Sequence, residues 1–194
     1  MKSDFHRIFV AVPLDEGLRN AILDLQKHLE DAGAVAQWIR PEQLHFTLRF
    51  LGEISLAQVA RVKVASREAA ARIDPFTVTL RGLGAFPSLH RPQVVWAGIE
   101  EGREPLQALA GHLQEALARQ RFPAEPKPFR PHLTLARVKS TRNWGELVRA
   151  LGAFKDEGIG TQRVDILVVF ESHLTPKGPR YTPLEEVRLA HYEK

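Results

Sequence analysis

The four residues HFTL at 45–48 return almost unchanged as HLTL at 132–135. In an extended strand, residues two apart point to the same face. His45 and Thr47 are therefore presented together, as are His132 and Thr134. Phe46 and Leu133, the intervening residues, point the other way, into a core. Each copy thus offers an imidazole and a hydroxyl on one side and anchors itself by apolar side chains on the other.

Outward from these copies the chain repeats one grammar. QLHFTLRFLG and FRPHLTLARV, the segments around the two motifs, read as strands. Before the first, FHRIFVAVP at 5–13 predicts a buried strand. Leu18, Ala21, Ile22, Leu25 and Leu29 then predict a helix over 15–32, with Asp15 as N-cap and Gly33 as stop. Ser55 opens a second helix to about Ile73, ended by Asp74-Pro75. PFTVTLRGLGAF and PQVVWAGIE follow as strands, and Leu106, Leu109, Ala110, Leu113 and Leu117 form a helical stripe. After the second motif come a short helix at 144–150 and two strands, TQRVDILVVFESHL and YTPLEEVRLA. The expected fold is α+β, two diverged halves with their sheets side by side. The Pro-rich run FPAEPKPFRP at 122–131 reads as the loop feeding the second motif.

At 194 residues, 44% hydrophobic and 26% charged, the chain suits one globular domain. No apolar run reaches the roughly 20 residues of a membrane span, and the N-terminal FVAV is too short for a signal segment. The absence of cysteine excludes disulfides, thiolate nucleophiles and Cys-based zinc sites, and fits the cytoplasm. A net charge of +4 and a pI near 9.6 mildly favour a polyanionic partner.

Two facing copies of the motif would supply two imidazoles and two hydroxyls. Phosphodiester cleavage by in-line attack needs a base for the incoming oxygen and an acid for the departing one. Histidine, with a pKa near 6.5, serves as either. The threonines can donate to the phosphoryl oxygens, where charge accumulates. A lone His-x-Thr is ordinarily no more than a half-buried strand; it is the repetition in corresponding positions that argues for function. Zinc is the rival reading, since histidine is a common ligand, but no HExxH and no completing carboxylate is present. No metal or other cofactor is expected.

With these motifs in hand, the sequence resembles the 2H phosphoesterase superfamily. More narrowly, it is similar to the bacterial and archaeal RNA 2′,3′-cyclic phosphodiesterases, historically called 2′-5′ RNA ligases. The resemblance is carried by RIFVAVPL at 7–14, PEQLHFTLRFLGEI at 41–54, GLGAFPS at 82–88, VVWAGI at 94–99 and FRPHLTLARV at 129–138. ES-x-L at 171–174 and the GPRY turn at 178–181 complete it. It implies a bilobal fold around a central cleft, and hydrolysis of an RNA 2′,3′-cyclic phosphate to a 2′-phosphate. It further implies that His45 is proton donor and His132 proton acceptor, with Thr47 and Thr134 holding the phosphate; the sequence itself is symmetric on that point. Arg137 matches a family position that contacts the nucleotide. Strict alternation would turn it away from His132, so it reaches substrate only if the strand twists, bulges or ends. A structural salt bridge is its other reading. Arg130 is a further candidate for the RNA backbone.

A third copy, HLTP at 173–176, is read as non-catalytic because Pro176 marks a strand end. His6, His28, His90, His112 and His191 have no partner motif, and Phe5, Phe9, Phe50, Trp38 and Trp96 are read as packing residues. The expected partner is RNA with cyclic phosphate ends, met by a monomer without membrane contact. Alternatives are a 2′-5′ ligase, a 2′,5′-oligonucleotide phosphodiesterase or an enzyme acting on a small cyclic nucleotide phosphate, all using the same residues, and a non-catalytic RNA-binding module.

Overall fold

The computed structural model describes residues 5–31, 33, 35–139, 143–176 and 178–190. Among these residues, two antiparallel sheets and four α-helices form an α+β fold. The first sheet has the order β3-β1-β8-β9 and the second β2-β6-β5-β4-β7. The strands are β1 (Phe5–Pro13), β2 (Gln37–Trp38), β3 (His45–Ser55), β4 (Phe76–Phe86), β5 (Val94–Glu101), β6 (Leu133–Arg137), β7 (Gly158–Val164), β8 (Ile166–Thr175) and β9 (Gly178–Arg188). The helices are α1 (Glu16–Asp31), α2 (Leu56–Ala70), α3 (Arg103–Arg119) and α4 (Trp144–Ala153).

Local chemistry sets the helix ends. Asp15 caps α1, its Oδ1 accepting from the Leu18 N–H at 2.7 Å. Gly33 follows at φ +85°, which glycine adopts without steric cost. Ser55 and Gln58 form a reciprocal capping box on α2. That helix stops at Ala70, three residues short of the expected end. There the Ala70 and Ile73 carbonyls both accept the Ala190 N–H, so a tertiary contact takes up its last turn.

The two expected sheets are present, and the halves that build them also exchange elements. Helix α1 crosses to the second sheet, packing on β7 and α4, while α3 packs on α2 and β3 of the first. The run expected as one strand at 161–174 breaks at Asp165, whose carbonyl accepts from the Leu189 N–H at 2.8 Å. Its first part, β7, pairs with β4; its second, β8, pairs with β1. Strand β9 begins at Gly178, so the expected turn at 178–181 is already strand. The final hairpin thus fills in the first sheet the two positions that β4 and β7 occupy in the second.

Phe46 and Leu133 are 1% and 0% exposed, each contributing roughly 2 kcal/mol of burial. In the second sheet, Gly84 lies opposite Trp96, and a Cβ at Gly84 would meet the indole ring. Gly84→Val is expected to cost about 1–3 kcal/mol by displacing that ring. Chemical denaturation measures it, and unchanged stability would mean the ring can move aside freely.

Candidate active site

The leucine that closes each motif is an extra residue in its strand. Thr47 pairs with Ala11 and Arg49 with Val10, so Leu48 has no partner on β1. Thr134 pairs with Trp96 and Ala136 with Val95, so Leu135 has none on β5. Such a bulge inverts the alternation beyond it. Phe50 and Arg137, each five residues after its histidine, therefore rejoin the cleft face, opposite Phe9 and Val94. Arg137 reaches the cleft by bulging, one of the conditions that the sequence left open, and it has no ion-pair partner among the described residues.

The cleft between the sheets has a volume of about 1400 Å³ and is lined by His45, Thr47, His132, Thr134, Arg130 and Arg137 together. All six residues singled out in the sequence thus meet in one cavity. His132 lies just before β6, because Pro131 has no N–H to extend the ladder. The strand expected over 129–138 is correspondingly shorter.

Both imidazoles are held alike. His45 Nδ1 lies 2.7 Å from the Gln43 carbonyl, and His132 Nδ1 lies 2.6 Å from the Arg130 carbonyl. A carbonyl only accepts, so Nδ1 carries the proton in each neutral ring, and Nε2 exchanges the other one. The Gln43 side chain in turn donates to the Pro179 carbonyl, tying this support to β9.

The surroundings of the two rings differ. His45 lies 4.9 Å from the Phe9 ring and in a T-shaped contact with Tyr181 at 5.5 Å, whereas among the described residues the ring contact of His132 is a T-shaped one with Phe86 at 5.1 Å. Burial pushes the His45 pKa down to about 4, against a smaller upward pull from the Gln43 carbonyl. Burial raises the Tyr181 pKa, opposed by the charges of Arg137 and Arg7. Arg137 of the second sheet and Tyr181 of the first line the same cleft.

The expectation of packing roles fails for Phe50, which is 57% exposed on the cleft wall, and for Phe5, which is 59% exposed. Trp38 is half-buried but also lines the cleft. Phe9 is fully buried beneath His45, as a packing residue should be. Phe50, Arg7, Tyr181 and Arg49 left no local signal of lining the cleft; for Phe50 the bulge that turns it there is set by pairing with β1.

His173 and Glu171 share one face of β8, with His173 Nε2 3.4 Å from the carboxylate, while Ser172 and Leu174 line the cleft. The third copy thus points away from the other two. His191 lies outside the described residues. Among those residues, no group of three His, Cys, Asp or Glu could hold a metal ion, and no helix is long and apolar enough to cross a membrane.

Since the folded pKa of His45 lies below its unfolded value of 6.5, protonation favours the unfolded chain. Its effect on stability is absent above that pH and destabilises as pH falls toward 4. NMR titration of the free protein is expected to give a His45 midpoint near 4 that inorganic phosphate moves upward. A midpoint near 6.5 that phosphate leaves in place would contradict this burial.

The family profile described as LigT-like phosphoesterase matches residues 12–96 and 98–181. The chain is 37% identical over 183 residues to the RNA 2′,3′-cyclic phosphodiesterase of Methanothermobacter thermautotrophicus, covering 94% of this chain and 98% of that one. Among crystal structures, it is similar to TT0787 of Thermus thermophilus, with a TM-score of 0.78, 31% identity, and coverage of 94% and 97%. It is also similar to E. coli LigT complexed with 3′-AMP, with a TM-score of 0.76, 26% identity, and coverage of 97% and 100%. With its bilobal fold and paired His-x-Thr strands, the chain belongs to the LigT-like phosphoesterases, an enzyme family of the 2H phosphoesterase type.

Proposed function

We propose that the protein hydrolyses RNA 2′,3′-cyclic phosphate ends to 2′-phosphates by acid–base catalysis with two histidines and no metal. The observation that carries this reading is the matched pair of imidazoles, each with Nδ1–H held by a backbone carbonyl two residues earlier. The M. thermautotrophicus relative, named for this activity, supports it.

In this mechanism His132 Nε2 takes a proton from water as the oxygen attacks phosphorus. The P–O3′ bond breaks, and His45 Nε2 supplies the proton that the departing 3′-oxygen needs. The products are a 2′-phosphomonoester and a free 3′-hydroxyl. Thr47 and Thr134 donate to the non-bridging oxygens, where charge develops. His45, neutral in the open cleft at pH 7, gains its proton when the phosphodiester anion settles against it. Phe50 and Arg137, at matching positions on opposite walls, flank the terminal base, and the 3′-AMP complex of E. coli LigT supports a nucleotide in this cleft.

The test uses a short RNA ending in 2′,3′-cyclic phosphate, with EDTA present and ³¹P NMR as readout. His45→Ala and His132→Ala are each expected to lower kcat by about 10²–10⁴. Thr47→Val and Thr134→Val should each lower it by about 10–10² with a smaller change in KM. A 3′-phosphate product would reverse the leaving oxygen. Turnover that needs added metal would overturn the mechanism. Tight RNA binding without turnover would favour a binding module.

A further inference from the structure

The loop that carries the second motif is anchored firmly at its root. Arg49, only 8% exposed, donates from Nη2 to the Pro123 carbonyl at 2.6 Å and from Nη1 to Gln114 Oε1 at 2.9 Å. Its Nη1 also lies 2.5 Å from Glu125 Oε2. Arg61 adds a second hold, donating to the Gln120 carbonyl at 3.1 Å and lying 5.6 Å from the Phe122 ring centre. At the far end the Arg130 carbonyl accepts from His132. Between these anchors Pro123, Pro126, Pro128 and Pro131 restrict the backbone. A segment this constrained holds whatever it presents at a set distance from the catalytic pair.

What it presents is cationic. Lys127 and Arg130 are exposed and line the same cavity as the histidines. Six cationic side chains border that cavity against one carboxylate, Glu125, in a chain whose net charge is only +4. Of the six, Arg49 alone has an ion-pair partner among the described residues. The excess charge of the protein is thus gathered in the cleft and left unneutralised. At about 1400 Å³ the cavity also exceeds the roughly 300–1,000 Å³ usual for small ligands. Charge and room together call for a chain of phosphates.

We propose that residues 123–131 form an RNA-backbone arm. With the cyclic phosphate between His45 and His132, upstream phosphodiesters lie against Lys127 and Arg130, so the preferred substrate is an oligoribonucleotide strand. This rests on the reading of the site as an RNA-end phosphodiesterase and specifies how much of the RNA it holds.

The experiment compares a hexanucleotide ending in 2′,3′-cyclic phosphate with the cyclic mononucleotide of the same base, in the parent and in Lys127→Ala, from about 50 to 200 mM salt. The parent is expected to show at least about tenfold higher kcat/KM on the hexanucleotide. Lys127→Ala should lower that value about three- to tenfold and flatten its logarithmic salt slope by about 0.7, as loss of one phosphate contact does on a single strand. The mononucleotide rate should stay within about twofold. Equal losses on both substrates, no loss on either, or a parent indifferent to strand length would each overturn the arm. A parent that cleaves neither substrate defeats the phosphodiesterase reading itself, and the arm with it.

Discussion

An imidazole whose Nδ1–H is bound to a carbonyl can exchange its second proton only at Nε2, and the site depends on that constraint twice. Each histidine takes its partner from the backbone two residues earlier, so tautomer and ring orientation are set locally. No carboxylate is needed for either orientation. The supporting carbonyls are placed by different means: Gln43 is tied through its side chain to β9, whereas Arg130 ends a proline-rich loop stapled by Arg49. One chemical outcome is thus reached through two unrelated tertiary supports.

The bulge at Leu48 and Leu135 does the rest. A regular strand would present the imidazole and hydroxyl of each motif, then turn the fifth residue after the histidine into the core. One inserted residue keeps the motif's own alternation and reverses the facing of the residues beyond it. Both sheets therefore set one further side chain against the cleft, aromatic Phe50 on one wall and cationic Arg137 on the other. The strand exchange works at a larger scale: α1 and the β8–β9 hairpin each return to a sheet begun elsewhere in the chain, which ties the two walls together.

The pseudo-symmetry stops at the environment of the two rings. His45 rests on buried Phe9 beside Tyr181, and desolvation disfavours its charged form. In such a pocket the approach of a phosphate anion shifts protonation more than it would in water, since charges interact more strongly where solvent is excluded. The proposed mechanism, in which chemically identical side chains take different roles, draws on this difference between the walls.

The amino-acid sequence by itself determined which faces of the two motif strands are polar and which are buried, because that alternation is local to four residues. It likewise determined the Asp15 and Ser55 caps and the apolar stripes of the helices, all short-range patterns. The exposure of Phe50, the facing of Arg137 toward the cleft, the break at Asp165 and the burial of Arg49 were decided only by the tertiary structure. Each arises from hydrogen-bond register or desolvation between segments far apart in the chain, such as Arg49 with Pro123 or Leu189 with Asp165. Alternation cannot reveal a bulge whose missing partner lies on another strand, and no local pattern sets how much water a histidine keeps.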